Sequence, residues 1–288
     1  MKNYIYAGLD FIFDKEGHVW FLEANGATRG FVEYEKLYNS EAPIKAICRY
    51  IKNQGKNNCA LVCKKERFKG NVYFYDKVCN MAKMHKCYVK KNMHKKKYLI
   101  NSEGKKIIPD SVLVHDNYKH LRKFRGRTIN NIGLIEFVKD KFKTAALIQN
   151  KTRIKTPRSF IVRNSRELDS LLRQHVFHNG FVLKPIVGGE GKGVVVLGSH
   201  ERVPKIKKTM LVQERIIPKL IHKKYWDVRV FVVNGRFYGG FMRESMHRVT
   251  NICRGGKAVR LPKHIVRKLK KPSVEIVKVI ENNFSHGT

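Results

Sequence analysis

The first 26 residues alternate between apolar, β-rich runs and a short polar turn. The run YIYAGLDFIF begins at Tyr4, and VWFLEAN follows after the turn DKEG. Two such runs joined by a short turn predict a β-hairpin. Asp10 lies late on the first strand, and Glu23 and Asn25 share one face of the second because side chains alternate along a strand. Three oxygen-bearing side chains at one place suit Mg²⁺. Solvent-facing acids at a hairpin end are the alternative.

A second predicted hairpin lies in the middle of the chain, where residues 181–193 read FVLKPIVGGEGKG. A short apolar strand ends at Lys184, a glycine-rich loop follows, and VVVL forms the returning strand. The loop carries four glycines and one further lysine: Gly188, Gly189, Gly191, Gly193 and Lys192. Glycines let backbone N–H groups approach an anion closely, so we interpret the loop as a phosphate-covering flap above Lys184. An ordinary glycine-rich turn is the alternative.

Two common phosphate-binding motifs are excluded by the spacing of these glycines and by the residues after them. A Walker loop requires Ser or Thr after Gly-Lys and then a helix, whereas Gly193 and a strand-like run come after Lys192. A dinucleotide fingerprint requires GxGxxG at the start of a helix, and the glycine spacing here is different.

The rest of the chain mixes helical and strand-like patterns. Residues 31–53 have apolar positions at helical spacing, and residues 54–130 predict a small α/β unit with a helix at 71–84. Beyond it, we predict helices at 140–150, from Ser165 and at 273–283, and strands at 159–162, 210–214, 225–233 and 237–243.

The composition is strongly basic. Sixty Lys and Arg residues against 23 Asp and Glu residues give a formal net charge of +37. Such a charge attracts polyanions, although a solvated basic surface without a specific partner explains it equally well. The densest run includes Lys90, Lys91 and residues 94–97. No recognisable aromatic–basic RNA-binding motif accompanies it.

The cysteines and the apolar runs indicate in which cellular compartment the protein is located. Six cysteines show no paired CxxC spacing, and Cys79, His85 and Cys87 are better explained as a chance cluster with reduced thiols than as metal ligands. No apolar run approaches the roughly 20 residues of a membrane span, and no signal peptide is visible. We therefore predict a cytoplasmic protein.

Several of these segments together resemble the ATP-grasp superfamily of carboxylate–amine and carboxylate–thiol ligases. The resemblance rests on five stretches: GLDFIFDKEGHVWFLEAN, DKFKTAALIQN with TPRSF, VLKPIVGGEGKGV, VQERI, and WDVRVFVVNGRF with TNICRGG. The pattern is most similar to ligases that add glutamate-like groups to peptides and to spore-coat-associated ATP-grasp proteins. It implies an α+β fold with two α/β lobes around a nucleotide and a small preceding α/β domain.

The order of these stretches departs from the family. The family places the metal-binding hairpin last, whereas here it comes first. The chain is therefore interpreted as a circular permutation or as a window cut from a tandem array. On this interpretation, residues 1–53 belong to the C-terminal lobe, 54–130 form the small substrate-side domain, and 131–288 form the nucleotide-binding lobes.

The resemblance also implies roles for individual residues. ATP phosphates would be contacted by Lys141, Lys184, Lys192 and the flap glycines Gly188, Gly189, Gly191 and Gly193. The adenine and ribose side would be formed by Glu214, Arg215 and Asp227. Arg229, Asn251 and Arg254 would act catalytically at the reacting phosphate. Asp10, Glu23 and Asn25 would hold Mg²⁺, with Mn²⁺ as an alternative ion.

The implied activity is ATP-dependent ligation of a carboxylate to an amine through an acyl phosphate, with ADP and phosphate as products. The substrates would be a carboxylate and an amine, with an acidic peptide or protein as one candidate. The alternative is a non-catalytic, ATP-binding coat or assembly protein that keeps the fold. A nucleic-acid-binding protein is a third hypothesis that rests on net charge alone.

Overall fold

Three β-sheets organise the chain in a computed structural model that describes residues 3–26, 30–53, 58–63, 72–88, 98–114, 121, 124, 126–199 and 201–285. The strands of the described part are β1 Tyr6–Phe13, β2 Val19–Asn25, β3 Cys59–Cys63, β4 His85–Tyr88, β5 Leu99–Asn101, β6 Lys106–Ile107, β7 Ser111–Val114, β8 Arg127–Ile129, β9 Ser159–Val162, β10 Phe181–Lys184, β11 Val195–Leu197, β12 Met210–Glu214, β13 Tyr225–Val233, β14 Arg236–Ser245 and β15 Lys257–Arg260. The helices are α1 Phe31–Tyr38, α2 Ala42–Lys52, α3 Val72–Ala82, α4 Ile132–Lys139, α5 Lys141–Lys151, α6 Ser165–Arg173 and α7 Lys263–Ser285.

The N-terminal hairpin is part of a five-stranded antiparallel sheet with the order β15-β14-β13-β1-β2. One face of this sheet packs against α4, α5 and α7 through buried side chains that include Leu9, Phe11 and Val230. The opposite face is divided. Tyr6 and Phe231 pack at one end against α1 and α2, and polar side chains occupy the other end. The predicted hairpin at residues 4–25 is confirmed.

The glycine-rich hairpin is part of a separate four-stranded sheet, with the order β11-β10-β12-β9. Helix α6 covers it, and Leu168 and Leu183 lie in their shared core. Asn164 caps α6 by accepting a hydrogen bond from the backbone N–H of Glu167 at 2.9 Å. The predicted flap hairpin and the helix from Ser165 are therefore both present.

The predicted small α/β unit forms the third sheet, with the order β6-β5-β4-β3-β7-β8. Strands β4, β3, β7 and β8 run parallel, and β5 and β6 add an antiparallel edge. The basic run at 90–97, predicted as the densest on the chain, lies outside the described residues. The described part of this unit agrees with the alternating strand and helix pattern.

Several expected boundaries are wrong. The helical segment 31–53 is two helices, and the C-terminal helix begins at Lys263 rather than at Ser273. Pro272 removes one backbone donor and usually ends a helix. Here the helix continues because Leu269 and Ile276, on either side of the proline, are fully buried against the sheet. Strands β8 and β15 and helix α4 were not anticipated because they are short, with three, four and eight residues.

No helix within the described residues combines the length and the apolar character needed to cross a membrane. The longest, α7, places lysines and arginines along its outer face.

Two polar side chains attach the hairpin to distant parts of the chain. The Glu281 carboxylate accepts hydrogen bonds from the backbone N–H groups of Asn3 at 2.7 Å and Tyr4 at 2.5 Å. The buried Asn130 amide accepts from the N–H groups of residues 5 and 6 at 2.6 and 2.9 Å. Asn130 also donates to the carbonyls of Tyr6 and Gly26. The Asn130 side chain therefore forms hydrogen bonds with four backbone groups of the N-terminal hairpin and its flanking residues.

We expect Asn130→Ala to lower the free energy of unfolding by about 2–4 kcal/mol, since it leaves several buried backbone groups without partners. Urea unfolding measures the change. The matched control is Asn164→Ala, which removes an exposed helix cap and should cost about 1 kcal/mol. Equal losses in the two variants would contradict the role of the Asn130 amide.

Candidate active site

A cleft separates the five-stranded sheet from the four-stranded sheet. Strands β1, β2, β13 and β14 form one wall, and β10, β12 and the glycine-rich loop form the other. The cleft is lined mainly by charged, polar and glycine residues, together with an apolar group that includes Ile12, Leu22, Val182 and Ile216. A mixed lining of this kind suits a ligand with one apolar, planar part and one highly charged part.

The glycine-rich loop packs against the segment that follows β14. Gly191 has a left-handed φ of +66°, and a Cβ there would lie 3.1 Å from both the Asn251 amide oxygen and a Val249 methyl group. The Cys253 thiol also donates to the Glu190 carbonyl at 3.3 Å. Glycine at 191 therefore allows the loop to approach this segment closely and to cover the cleft.

Two buried lysines enter the cleft from different elements. The Lys141 ammonium, at the start of α5, donates to the Gly188 carbonyl at 2.7 Å and lies 3.6 Å from the Glu23 carboxylate. Lys184 lies at the end of β10. Burial and, to a smaller extent, neighbouring Lys141 lower the pKa of Lys184, Glu23 and Asp10 oppose the shift, and the net result is a pKa of about 8. The cleft therefore concentrates positive charge that water does not fully solvate.

A chain of buried ion pairs forms the floor of the cleft. Arg229 donates to both Asp10 oxygens at 2.7 Å, and Arg243 donates to both Asp227 oxygens at 2.6 Å. Arg243 also lies 3.2 Å from Asp10 and so joins the two pairs. Burial alone would raise the pKa of Asp10, but the two guanidinium groups hold it well below its usual range. Asp10 is therefore ionised at neutral pH.

Most of the predicted site residues meet at this cleft. Those on its walls are Asp10, Glu23, Lys141, Lys184, Gly188, Gly189, Gly191, Lys192, Glu214, Arg215, Asp227 and Asn251. Four others are not part of the wall: Asn25, Gly193, Arg229 and Arg254. Arg229 lies beside Asp10 on the neighbouring strand β13, and Arg254 is exposed on a short 3₁₀ turn. Glu214 accepts a hydrogen bond from the Arg158 backbone at 3.3 Å.

Arg243 is the principal residue of the cleft that no motif indicated. The turn at Asn234-Gly235 pairs Val233 with Arg236, and uninterrupted pairing would place Asp227 opposite Met242. A bulge near Gly239 adds one residue to β14 and brings Arg243 opposite Asp227 instead. A glycine pair inside a strand was the available signal, because glycine there often marks a bulge. Gln213, Arg248 and Thr250 also line the cleft without having been predicted.

The residues that could hold a divalent cation are oxygen donors from the N-terminal hairpin. Asp10 and Glu23 face each other across β1 and β2 beside a one-residue irregularity in the pairing. The amide Nδ2 of Asn25 is buried without a hydrogen-bond partner, which leaves the orientation of this amide open to a ligand. This set of carboxylate and amide groups fits a hard cation.

The buried thiols are consistent with a chance cluster of reduced cysteines. Burial raises the pKa values of Cys79 and Cys87 to about 12, so neither is a ready thiolate. Within the described residues, neither belongs to a group of potential metal ligands.

The fold and the cleft define an ATP-grasp protein. A model of the RimK-like ATP-grasp domain family matches residues 138–284, slightly more than half of the chain. The chain belongs to this family. The predicted α+β, ATP-grasp class is thereby confirmed.

Two curated relatives are coenzyme gamma-F420-2:alpha-L-glutamate ligases. The protein from Methanococcus maripaludis is 27% identical over 133 residues, or 45% of this chain and 46% of the relative. That from Methanocaldococcus jannaschii is 27% identical over 139 residues, or 47% and 48% of the two chains. The matched segment thus spans about half the length of these relatives.

Solved structures support the same fold. A candidate gamma-glutamylcysteine synthetase from Methylobacillus flagellatus KT has a TM-score of 0.65 at 10% identity, covering 98% of this chain and 89% of its own. D-alanyl-alanine synthetase A from Vibrio cholerae has a TM-score of 0.54 at 11% identity, covering 79% and 81%. At these identities the likeness concerns the fold alone.

The buried Lys184 ammonium makes a pH-dependent prediction. Its pKa is about 8 in the folded protein against 10.5 ordinarily, so the unfolded chain holds the proton more tightly between these values. Stability from this group therefore rises with pH across that window, and its cost is fully present below pH 8. We expect the unfolding free energy of the native protein to gain up to about 3 kcal/mol relative to Lys184→Met between pH 7 and 10.5.

Denaturant unfolding at several pH values measures this difference. Lys192→Met is the control because the Lys192 side chain is 76% exposed in the same loop region. A constant difference between the native protein and Lys184→Met would contradict the desolvation of Lys184.

Removing the guanidinium shared by the two ion pairs should be costly. We expect Arg243→Met to lower the unfolding free energy by about 3–5 kcal/mol at pH 7, because it leaves buried Asp227 without its partner. Adding Asp227→Asn should recover part of the loss. A double-mutant cycle measures the coupling, with exposed Arg236→Met as control. Additive effects would contradict the proposed pairing.

Proposed function

We propose that the protein is an ATP-dependent carboxylate–amine ligase. The observation that carries the proposal is the cleft itself, where a glycine-rich loop and Lys184 face the carboxylates of Asp10 and Glu23 across a gap. Backbone N–H groups and ammonium groups on one side suit the phosphates of a nucleotide. Carboxylates on the other side suit the cation that accompanies those phosphates.

The substrate carboxylate would attack the γ-phosphorus of ATP, forming an acyl phosphate and releasing ADP. The amine would then attack the acyl carbon and release phosphate. The protein's own contribution would be positioning and charge neutralisation. Lys141, Lys184 and the loop at 188–193 would hold the phosphates. The apolar wall with Glu214, Arg215 and Asp227 would accept the adenine and ribose.

We keep the assignment of Arg229, Asn251 and Arg254 to the reacting phosphate. Their positions suggest that the three residues have different roles there. Asn251 lies on the cleft wall beside Gly191, within reach of a ligand covered by the loop. Arg229 holds Asp10 in place from the neighbouring strand β13. Arg254 is exposed and would have to reorient to reach the cleft.

Asp10, Glu23 and Asn25 would hold Mg²⁺, with Mn²⁺ as an alternative ion. Members of this superfamily generally use ATP together with divalent metal ions, and the oxygen donors of the hairpin fit that chemistry. A bound ion would neutralise phosphate oxygens during transfer. Arg229 and Arg243 keep Asp10 ionised, as a ligand for such an ion requires.

We also propose the division of the chain into residues 1–53, 54–130 and 131–288, with the first part completing the lobe formed by the third. The 2.7 Å contacts of Asp10 with Arg229 support one shared site. So do the hydrogen bonds of residues 3 and 4 with Glu281. In a window of a tandem array, the hairpin would instead be expected to lie away from Lys184.

The names of the curated relatives suggest which substrates to test, and we offer these substrates as proposals. Their names include glutamate as the group that is ligated, so glutamate is the first amine to try. The carboxylate substrate would come from a panel that includes acidic peptides. We also propose a cytoplasmic location, where the described cysteines Cys48, Cys59, Cys79, Cys87 and Cys253, which are not joined by disulfides, would remain thiols.

The test is ADP formation and product mass with ATP, Mg²⁺, amino acids and a carboxylate panel. We expect ADP formation to require both a carboxylate and an amine. Equal phosphate release with neither substrate would indicate a simple ATPase. Nucleotide binding without turnover on any pair would favour the non-catalytic assembly protein.

Once a substrate pair is found, Glu23→Gln should lower the turnover rate about 100-fold, because one anionic ligand for the metal is lost. Its thermal stability should be close to that of the native protein, since Glu23 is only partly buried. The control is Glu16→Gln in the exposed turn of the same hairpin. Similar rates for the two variants would contradict the metal assignment.

A further inference from the structure

A basic groove lies between the C-terminal end of α5 and the outer face of α7. Its open volume is ≈ 1010 Å³. Six exposed cationic side chains line it: Lys151, Arg153, Arg267, Lys270, Lys271 and Lys278. We call this surface the α5/α7 groove. Glu275 is the one acidic residue in the part of the lining that the structure describes.

Ion pairs with the described residues do not account for the cations of the α5/α7 groove. Among the described residues, no carboxylate lies within ion-pair distance of any of the six. On α7, Arg267 lies three and four residues before Lys270 and Lys271, a spacing at which like charges destabilise a helix. The negative end of the α5 dipole attracts cations near its last turn, but this explains only Lys151 and Arg153.

The α5/α7 groove is separate from the cleft. Leu269 and Ile276 of α7 are buried against the sheet face that carries Leu9 and Phe11. Asp10 points to the other face of that sheet, into the cleft. A complete sheet layer therefore separates the two surfaces, so the groove cations do not belong to the nucleotide site.

The lining of the groove indicates the chemistry of its partner. Among the described residues that line it there is no aromatic side chain on which a base could stack, and Val274 is the one apolar residue. An unstacked single strand or a peptide with apolar anchors would gain little here. Lysine, arginine, asparagine and threonine side chains are instead the groups that contact phosphate oxygens, and Asn150 and Thr152 supply the last two.

The cations also extend along a line. From Arg267 to Lys278 the helix axis rises about 16 Å, which is comparable to several phosphate spacings of a duplex. We propose that the α5/α7 groove binds the phosphodiester backbone of a double-stranded nucleic acid, independently of sequence. RNA and DNA duplexes share this chemistry.

The test is fluorescence anisotropy with labelled 20-base-pair RNA and DNA duplexes of mixed sequence, at several salt concentrations. We expect dissociation constants near the micromolar range, rising with salt. The variant Lys151→Gln/Lys270→Gln/Lys271→Gln should bind at least tenfold more weakly. Its slope of log affinity against log salt should fall by about 2 to 3, since each phosphate contact contributes about 0.9.

The matched control is Lys205→Gln/Lys207→Gln/Lys208→Gln, which removes the same charge from exposed lysines of another region. It should change the affinity less than twofold, and Lys151→Arg/Lys270→Arg/Lys271→Arg should bind like the native protein. Circular dichroism melts confirm that each variant is folded. Binding of an ATP analogue should be unchanged in the groove variant, which keeps this test independent of the ligase proposal.

Three results would overturn the proposal. Equal losses in the groove and control variants would mean that net charge alone attracts the duplex. Undetectable duplex binding at 50 mM salt would exclude the site. A polyglutamate peptide that competes as well as an unlabelled duplex of equal charge would identify an acidic polypeptide as the partner instead. A difference between the RNA and DNA arms would show which duplex the protein prefers.

Discussion

The buried ion-pair chain Arg229–Asp10–Arg243–Asp227 is the interaction on which the site depends. It joins β1, from the N-terminal hairpin, to β13 and β14, which lie more than 200 residues later. Each carboxylate accepts hydrogen bonds from both donors of a guanidinium fork, which offsets the large cost of burying the charges. The same contacts hold Asp10 beside Glu23 and keep it ionised. The same ion pairs therefore help to hold β1 against β13 and set the charge of the cleft floor.

The cleft keeps opposite charges close without letting all of them neutralise each other. Lys141 lies near Glu23, whereas Lys184 is desolvated strongly enough that its pKa falls to about 8. A polyphosphate entering between the lobes would supply the negative charge that Lys184 lacks. The glycine loop is already packed on the segment at 249–251, so its backbone lies beside the cleft before any ligand binds. Preorganisation of this kind reduces the cost of ordering the site when a ligand binds.

The cationic side chains of the protein lie in at least two different environments. In the cleft, Arg229 and Arg243 are paired with carboxylates, and Lys141 donates to the Gly188 carbonyl. In the α5/α7 groove, exposed lysines and arginines have no such partners among the described residues. The net charge of +37 does not reveal these two environments, because composition does not tell which side of a sheet a residue occupies.

The local pattern of apolar, polar and glycine residues determined much of the secondary structure around the site. The alternation around Asp10 and Glu23 and the apolar runs on either side of the glycine loop after Lys184 predicted both hairpins. The resemblance to the family then led to twelve of the residues that line the cleft. The hairpins depend on contacts between near neighbours, which sequence spacing encodes. Other features depend on distant parts of the chain. Burial against the sheet carries α7 through Pro272, and the bulge near Gly239 brings Arg243 opposite Asp227. Only the tertiary structure decided these points, since packing overrode local preference in the helix and a one-residue shift in pairing changed which side chain faces the site.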